Sequence, residues 1–502
     1  MHEINRIKFW PPVILLTITL LLSLLDKELF LLSVQSANSW VLTHFDWLFS
    51  WSVLCFFLII IAIYFSPLGR VTIGGIGSQP ILTKWRWFSI TLCTTIATGI
   101  LFWGTAEPLF HFNAPPQNLG IDARSESALS FSLSTIFMHW TLSPYSIYTL
   151  SSLVFAYAFY NLKKPFEVSS TLSPILGTRT KYVADAVDVI CLYGLVAGMA
   201  ASLGSGILTL SGGLVRLFDI NNSHFLLGII AVTIVVSFVL SASSGLQKGI
   251  KTLSDINIKA FMLLALFFLA FGPTKFIFTE SIVALKEYVI HFFPRSVNWN
   301  NQLDTDWFQS WTIFNWANWL AWAPISALFL GRLGKGYTIR TFIRINLLYP
   351  SIFGMVWMSI FSGTSLFQDQ ASGGQLFEIL NTQGAENVIY EIANKLPASE
   401  WISGFFILIS FISYVTAADS NTSAMSNLCT KGITESNQDS PLSLQIMWGI
   451  FIGAFAWIMI TFAGIDGIKM ISVLGGFPAL FLIIAIGISA LKLIYQHFSS
   501  SE

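Results

Sequence analysis

Two aromatic stretches hold the residues best suited to chemistry. Residues 311–324 read WTIFNWANWLAWAP, with Trp311, Trp316, Trp319 and Trp322 beside Asn315 and Asn318; residues 139–148 read HWTLSPYSIY, with Trp140, Tyr145 and Tyr148. The spacing of three from Trp316 to Trp319 to Trp322 sets rings on neighbouring helical turns, as a slanted ribbon along one face. Pro144 loosens the helix within the second patch. Ring faces attract cations, by about 0.5–1 kcal/mol each when exposed and about 2 kcal/mol when desolvated. A quaternary ammonium carries charge but no N–H, so ring faces can read it where a hydrogen-bond acceptor cannot. Two patches facing each other would form a cage for such a group; ordinary aromatic packing is the other reading.

Other candidates are fewer. His139 lies in an apolar segment without an acidic partner nearby in sequence; it could serve a membrane enzyme as a base, or hydrogen-bond a neighbouring helix. Glu107, Asp188, Asp255 and Asp419 fall at membrane depth, where a carboxylate either relays protons or caps a helix or pairs with a lysine. The four cysteines (Cys55, Cys93, Cys191, Cys429) are scattered and suggest neither a disulfide framework nor a metal site. Signatures such as GxSxG, HExxH or a phosphate-cradling glycine loop are absent, so no enzyme chemistry and no cofactor are expected. A net charge of zero gives no reason to expect a nucleic-acid partner.

The elements that must position these residues are membrane helices. The chain has 502 residues, 54% hydrophobic and only 10% charged, too apolar for one soluble core. Runs of about 20 apolar residues recur throughout. They predict twelve spans, at 10–25, 47–66, 86–108, 132–159, 187–212, 224–243, 254–278, 308–330, 345–365, 400–420, 443–464 and 470–494. Longer connections are expected at 160–186, 279–307 and 366–399. With the N-terminus inside, 17 of the 26 Lys and Arg fall on the cytoplasmic side and 8 outside, which places both termini in the cytoplasm. The fifth span, GLVAGMAASLGSG (194–206), offers small-residue spacing for close helix packing, or a flexible helix facing a midplane site. The polar run TAADSNTSAMSN (416–427) must line protein or a water-filled path.

At these residues the chain resembles a known family. FWGTAEPLFHF (102–112), FMHWTLSPYSIY (137–148), SGLQKGIKTLSDIN (244–257), residues 311–343 and YVTAADSNTSA (414–424) are similar to signature segments of the betaine–choline–carnitine transporters. The resemblance implies an all-α polytopic membrane protein with twelve transmembrane helices and a 5+5 inverted-repeat core of spans 3–7 and 8–12. It divides the chain into peripheral helices (1–85), a first repeat (86–280), an outer loop (281–307), a second repeat (308–496) and a short tail (497–502). It further implies alternating access, a homotrimer in a bacterial inner membrane, and a trimethylammonium substrate such as betaine, carnitine or choline. The family's ammonium site falls on Trp140, Tyr145, Tyr148 and Trp319, with Trp322 further along the path and Trp316 supporting.

Two departures from the family pattern matter. Asn318 stands where a second tryptophan is usual, and its amide could read a substrate hydroxyl or carboxylate, or line the entry path. The positions that hold sodium in sodium-driven members are Leu195, Met199, Thr416 and Ala417. A hard cation wants oxygen ligands, which leucine, a thioether and a methyl cannot supply. Sodium-independent transport is therefore expected, by exchange or by proton symport as in choline-type members.

Overall fold

The computed structural model describes residues 4–95, 97–243, 246–432 and 440–499. Among these residues the fold is helical, with only two isolated β-bridges, Ile4 to Thr430 and Thr72 to Thr338. The principal helices are α1 (Arg6–Leu25), α2 (Lys27–Phe65), α3 (Lys84–Thr95), α4 (Ala97–Asn113), α5 (Glu126–Trp140), α6 (Leu142–Ala156) and α7 (Thr180–Phe218). They continue with α8 (His224–Ser243), α9 (Leu246–Phe271), α10 (Thr274–Ser296), α11 (Phe314–Leu333), α12 (Tyr349–Ala371), α13 (Ser399–Leu428) and α14 (Leu442–Ser499). At the centre, α7, α11 and α14 pack on one another and α6 packs on α11.

Among the described residues eight helices are long and apolar enough to cross a membrane, or nine if α3 and α4, bent by 57° at their junction, count as one span. The helices that carry the aromatic patches (α5, α6 and α11) fall outside that set. At 15 residues each, α5 and α6 are too short, and α11 spends its first half on Trp and Asn. The 58 residues of α14 would stretch about 87 Å if straight, far beyond a bilayer. Gly464 turns the chain with φ 54°, ψ −136° and divides α14 into two legs. Only glycine adopts such a backbone cheaply.

Several expected connections are helical. The second helix begins at Lys27 rather than near 47: Asp26 caps it by accepting from the Leu29 amide at 2.9 Å. The outer loop expected at 281–307 is largely α10, because Ile277, Ala284, Tyr288 and Phe292 form a buried stripe at helical spacing. The 366–399 connection contains short helices at Gln375–Gln383 and Val388–Asn394.

The expected span at 132–159 is two helices. They meet at Thr141, where φ is −127° and ψ −114°. Pro144 explains the position: a proline lacks the N–H that would bond residue i−4, here Trp140, and its ring crowds that carbonyl. The chain therefore breaks between Trp140 and Leu142 and resumes with Pro144 in the first turn of α6. A second proline, Pro108 in α4, frees the Gly104 carbonyl in the same way. Ser362 of α12 donates to that carbonyl at 2.7 Å, and Ser365 donates to the next one, Thr105, also at 2.7 Å. Neighbouring hydroxyls make a proline tolerable at membrane depth in this manner.

The other acids expected at membrane depth each have a partner. Lys8 of α1 reaches Asp188 of α7 at 2.6 Å and Glu167 at 2.7 Å. Asp255 pairs with Lys259 one turn on and accepts from the Trp85 indole. Asp419 accepts from Ser241 at 2.6 Å.

Candidate functional site

The break at Thr141 puts Trp140 at the last position of α5 and leaves α6 free to present Tyr145 and Tyr148 on one face, three residues apart. Trp319 projects from α11 into this corner. Its ring centroid lies 6.0 Å from Trp140, 5.3 Å from Tyr145 and 5.0 Å from Tyr148, edge-on or tilted to each. All four side chains are buried. The four residues separated by up to 179 positions thus form one aromatic cluster built from three helices.

The walls are fixed unequally. Trp140 lies against Gly99 of α4, where a Cβ would run into the indole. Its Nε1–H donates to Glu107 Oε2 at 2.8 Å. The other oxygen of Glu107 accepts from His139 Nδ1 at 2.6 Å and from His111 Nε2 at 3.3 Å. With its proton on Nδ1, His139 can accept from the Thr312 hydroxyl through Nε2, at 3.0 Å. Tyr145 OH accepts from Thr95 at 3.3 Å. Trp319 Nε1, by contrast, has no hydrogen-bond partner among the described residues.

The donor atoms of Glu107, His111 and His139 lie within 4.8 Å of one another, a spacing that could suit a metal ion. The arrangement is nevertheless that of a hydrogen-bond network, since the 2.6 Å contact and the bonds to Trp140 and Thr312 already engage both carboxylate oxygens and both nitrogens of His139. Glu107 was legible as an intramembrane acid. Its bond to a ring of the cluster was not, because the two partners are 33 residues apart on different helices.

The remaining predicted residues fall around this core. Trp322 packs on Gly198 of α7, where an added Cβ would sit 3.0 Å from the indole. Gly194 faces the Gly475 carbonyl at similar range, so these glycines allow close approach of α7 to α11 and α14. Trp316 is buried against His139 at 5.8 Å, outside the cluster. Asn318 is half-buried and points to α14: its Oδ1 accepts from Ser472 at 3.1 Å. Leu195, Met199, Thr416 and Ala417 are all buried. The Thr416 hydroxyl donates back to the Ile412 carbonyl at 2.7 Å, leaving aliphatic, thioether and methyl groups at the other three positions.

An all-helical, multi-pass protein with a buried aromatic cluster at the meeting of broken and unbroken helices is the architecture of a membrane carrier. The family model for betaine/carnitine/choline transporters matches residues 7–499, and the chain belongs to that family. It is similar to an ectoine/hydroxyectoine transporter of Virgibacillus pantothenticus, with 30% identity over 87% of this chain and 85% of the relative. The high-affinity choline transport protein of Escherichia coli K12 is 29% identical over 96% of this chain and 71% of its own length. The glycine betaine transporter OpuD of Bacillus subtilis is 30% identical over 88% and 85%. The chain is therefore a transporter and not an enzyme, which sets aside a catalytic role for His139.

Proposed function

We propose that this chain carries a trimethylammonium compound of the betaine, carnitine or choline type across the bacterial inner membrane by alternating access. The substrate's ammonium group is held by Trp140, Tyr145, Tyr148 and Trp319, with Trp322 on the path beyond. The observation that carries the reading is the convergence of these four buried rings from three helices. Several ring faces at about 2 kcal/mol each when desolvated bind a cation firmly and still let it go. The names of the choline and glycine betaine relatives point to the same chemical class. In this reading the helices form twelve spans with a 5+5 inverted-repeat core, both termini face the cytoplasm, and the carrier assembles as a homotrimer.

The reading includes sodium independence. A sodium ion needs several oxygen ligands, and Leu195, Met199 and Ala417 offer no side-chain oxygen. Exchange of related compounds is the simplest mode. Proton symport is the second reading, favoured by one specific observation: Glu107 hydrogen-bonds both His139 and a wall of the cage.

The test is ligand-induced quenching of tryptophan fluorescence, screened with glycine betaine, choline, carnitine and γ-butyrobetaine. At least one should quench saturably, and Trp319→Leu should weaken its binding roughly tenfold or more. No response to any trimethylammonium compound would overturn the substrate class.

A further inference from the structure

Lys469 begins the second leg of α14, five residues after the turn at Gly464. Its ammonium lies 3.8 Å from the centroid of the Trp311 ring and 5.6 Å from that of Phe314. Among the described residues no carboxylate stands within ion-pairing distance of it. The acid nearest along the helix, Asp466, is exposed one turn earlier. A half-buried ammonium with no carboxylate in ion-pairing contact needs compensation, and here the face of an indole supplies it.

The contact joins two of the helices that build the site, at one end of the molecule. Near the chain end, His497 bonds Tyr157, Asn161 bonds the Thr72 carbonyl, and Thr72 bridges Thr338, so the last turns of α11 and α14 share one face. Trp311 stands just before the other end of α11, and Lys469 near the other end of the second leg of α14. Trp311 lies in the π-helical turn 309–313 leading into α11, eight residues and about 12 Å of helix before Trp319. Contacts then run inward without a gap. The Trp311 ring meets His111 at 4.7 Å, His111 bonds Glu107, and Glu107 holds Trp140 of the aromatic cluster.

We propose that the Lys469–Trp311 contact is a latch: an internal cation on an aromatic face that keeps this end of the cage closed and releases each time the carrier opens there. The proposal rests on the transport reading above. Breaking one such contact, between its exposed and desolvated strengths, shifts the closed-to-open ratio about five- to thirty-fold.

A thiol readout tests the latch without any ligand. Cys55 is the exposed native cysteine and the other three are buried. In a Cys55→Ser background, Thr95→Cys places a reporter beside Tyr145 of the cluster. Its labelling rate by a small charged methanethiosulfonate, measured on the purified carrier in detergent, should rise about five- to thirty-fold in Lys469→Gln. Lys469→Arg, which keeps the cation, should stay within about twofold. Trp311→Leu should reproduce the effect, and Lys469→Gln should add nothing on top of it, as a double-mutant cycle requires for two partners in one contact. An unchanged rate in Lys469→Gln, or additive effects in the double variant, would overturn the latch. Failure of every trimethylammonium compound to quench the wild-type protein would instead overturn the substrate assignment, while the thiol rates still decide the latch.

Discussion

Removing the Glu107 side chain tests whether the cage is an organised site or a chance meeting of rings. Glu107→Ala leaves three buried donors, Trp140 Nε1, His139 Nδ1 and His111 Nε2, without the oxygens that now lie 2.8, 2.6 and 3.3 Å away. Each orphaned donor costs about 1–3 kcal/mol, so the variant should lose about 3–9 kcal/mol, a large share of a typical folding free energy. Glu107→Gln should be far milder, near 1 kcal/mol. Its amide oxygen can still accept from Trp140, and its NH₂ can donate to His139 Nδ1 once the imidazole carries its proton on Nε2 and donates to Thr312. The assay pairs thermal unfolding in detergent with the fluorescence titration. Ala should lower the melting temperature and weaken binding several-fold as Trp140 loses its fixed pose; Gln should do little to either. Unchanged melting and affinity in Glu107→Ala would refute the positioning role. The same Gln variant separates the two transport modes: exchange should survive it, whereas uptake driven by a proton gradient should not if Glu107 carries the proton.

Two further outcomes are expected. Uptake into proteoliposomes should persist when sodium is replaced by potassium; a collapse would show that oxygen ligands exist which Leu195, Met199, Thr416 and Ala417 do not provide. Glu386, outside the membrane-spanning helices, is pushed up to about 7 from its ordinary 4.5 by burial. The folded state then binds this proton more tightly than the unfolded one, so its stabilising effect is complete below about pH 4.5 and is lost as pH rises through about 7, by up to roughly 3 kcal/mol. Melting temperature measured from pH 5 to 8 should fall on this account, and Glu386→Gln should flatten the fall; an equal slope in the variant would remove Glu386 as its cause.

Local rules carried much of the fold into the sequence and stopped at contacts between distant segments. Pro144 announced a disturbance, and its clash with the carbonyl four residues back fixes where the break comes. The stripe Ile277, Ala284, Tyr288 and Phe292 was equally readable as a helix, although its interspersed charges made the segment look like a loop. The start of α2 was hidden because Gln35, Asn38 and Asp46 interrupt the apolar run, while the backbone hydrogen bonds of a helix are indifferent to them. The two aromatic patches were legible from their ring types, while the choice of the four rings came from the family resemblance. The anchor of the cluster was not legible. Nothing local tells Glu107 from the other intramembrane acids, and only the folded chain shows it bonded to a ring of the cage while Asp188 meets Lys8. Asn318 likewise looked free to meet a substrate, yet its oxygen is engaged by Ser472, 154 residues away.

The unequal fixing of the walls says which of them can move. Trp140 is held by a charged hydrogen-bond acceptor and seated on a glycine, and Tyr145 is tied to Thr95. Displacing either leaves buried polar atoms unpaired, at about 1–3 kcal/mol apiece. Trp319 has no such tie among the described residues: its indole N–H lacks a partner there and its ring is held by contact alone. The wall contributed by α11 is therefore the least costly to separate from the walls on α5 and α6. A trimethylammonium group wedged against it would replace ring–ring contacts with ring–cation contacts, without breaking a hydrogen bond. The same helix is preceded by Trp311, beneath Lys469, so a shift of α11 that frees Trp319 would also strain the proposed latch. In the proposed reading α11 would join the cage to the latch, which is the mechanical requirement for coupling substrate binding to opening.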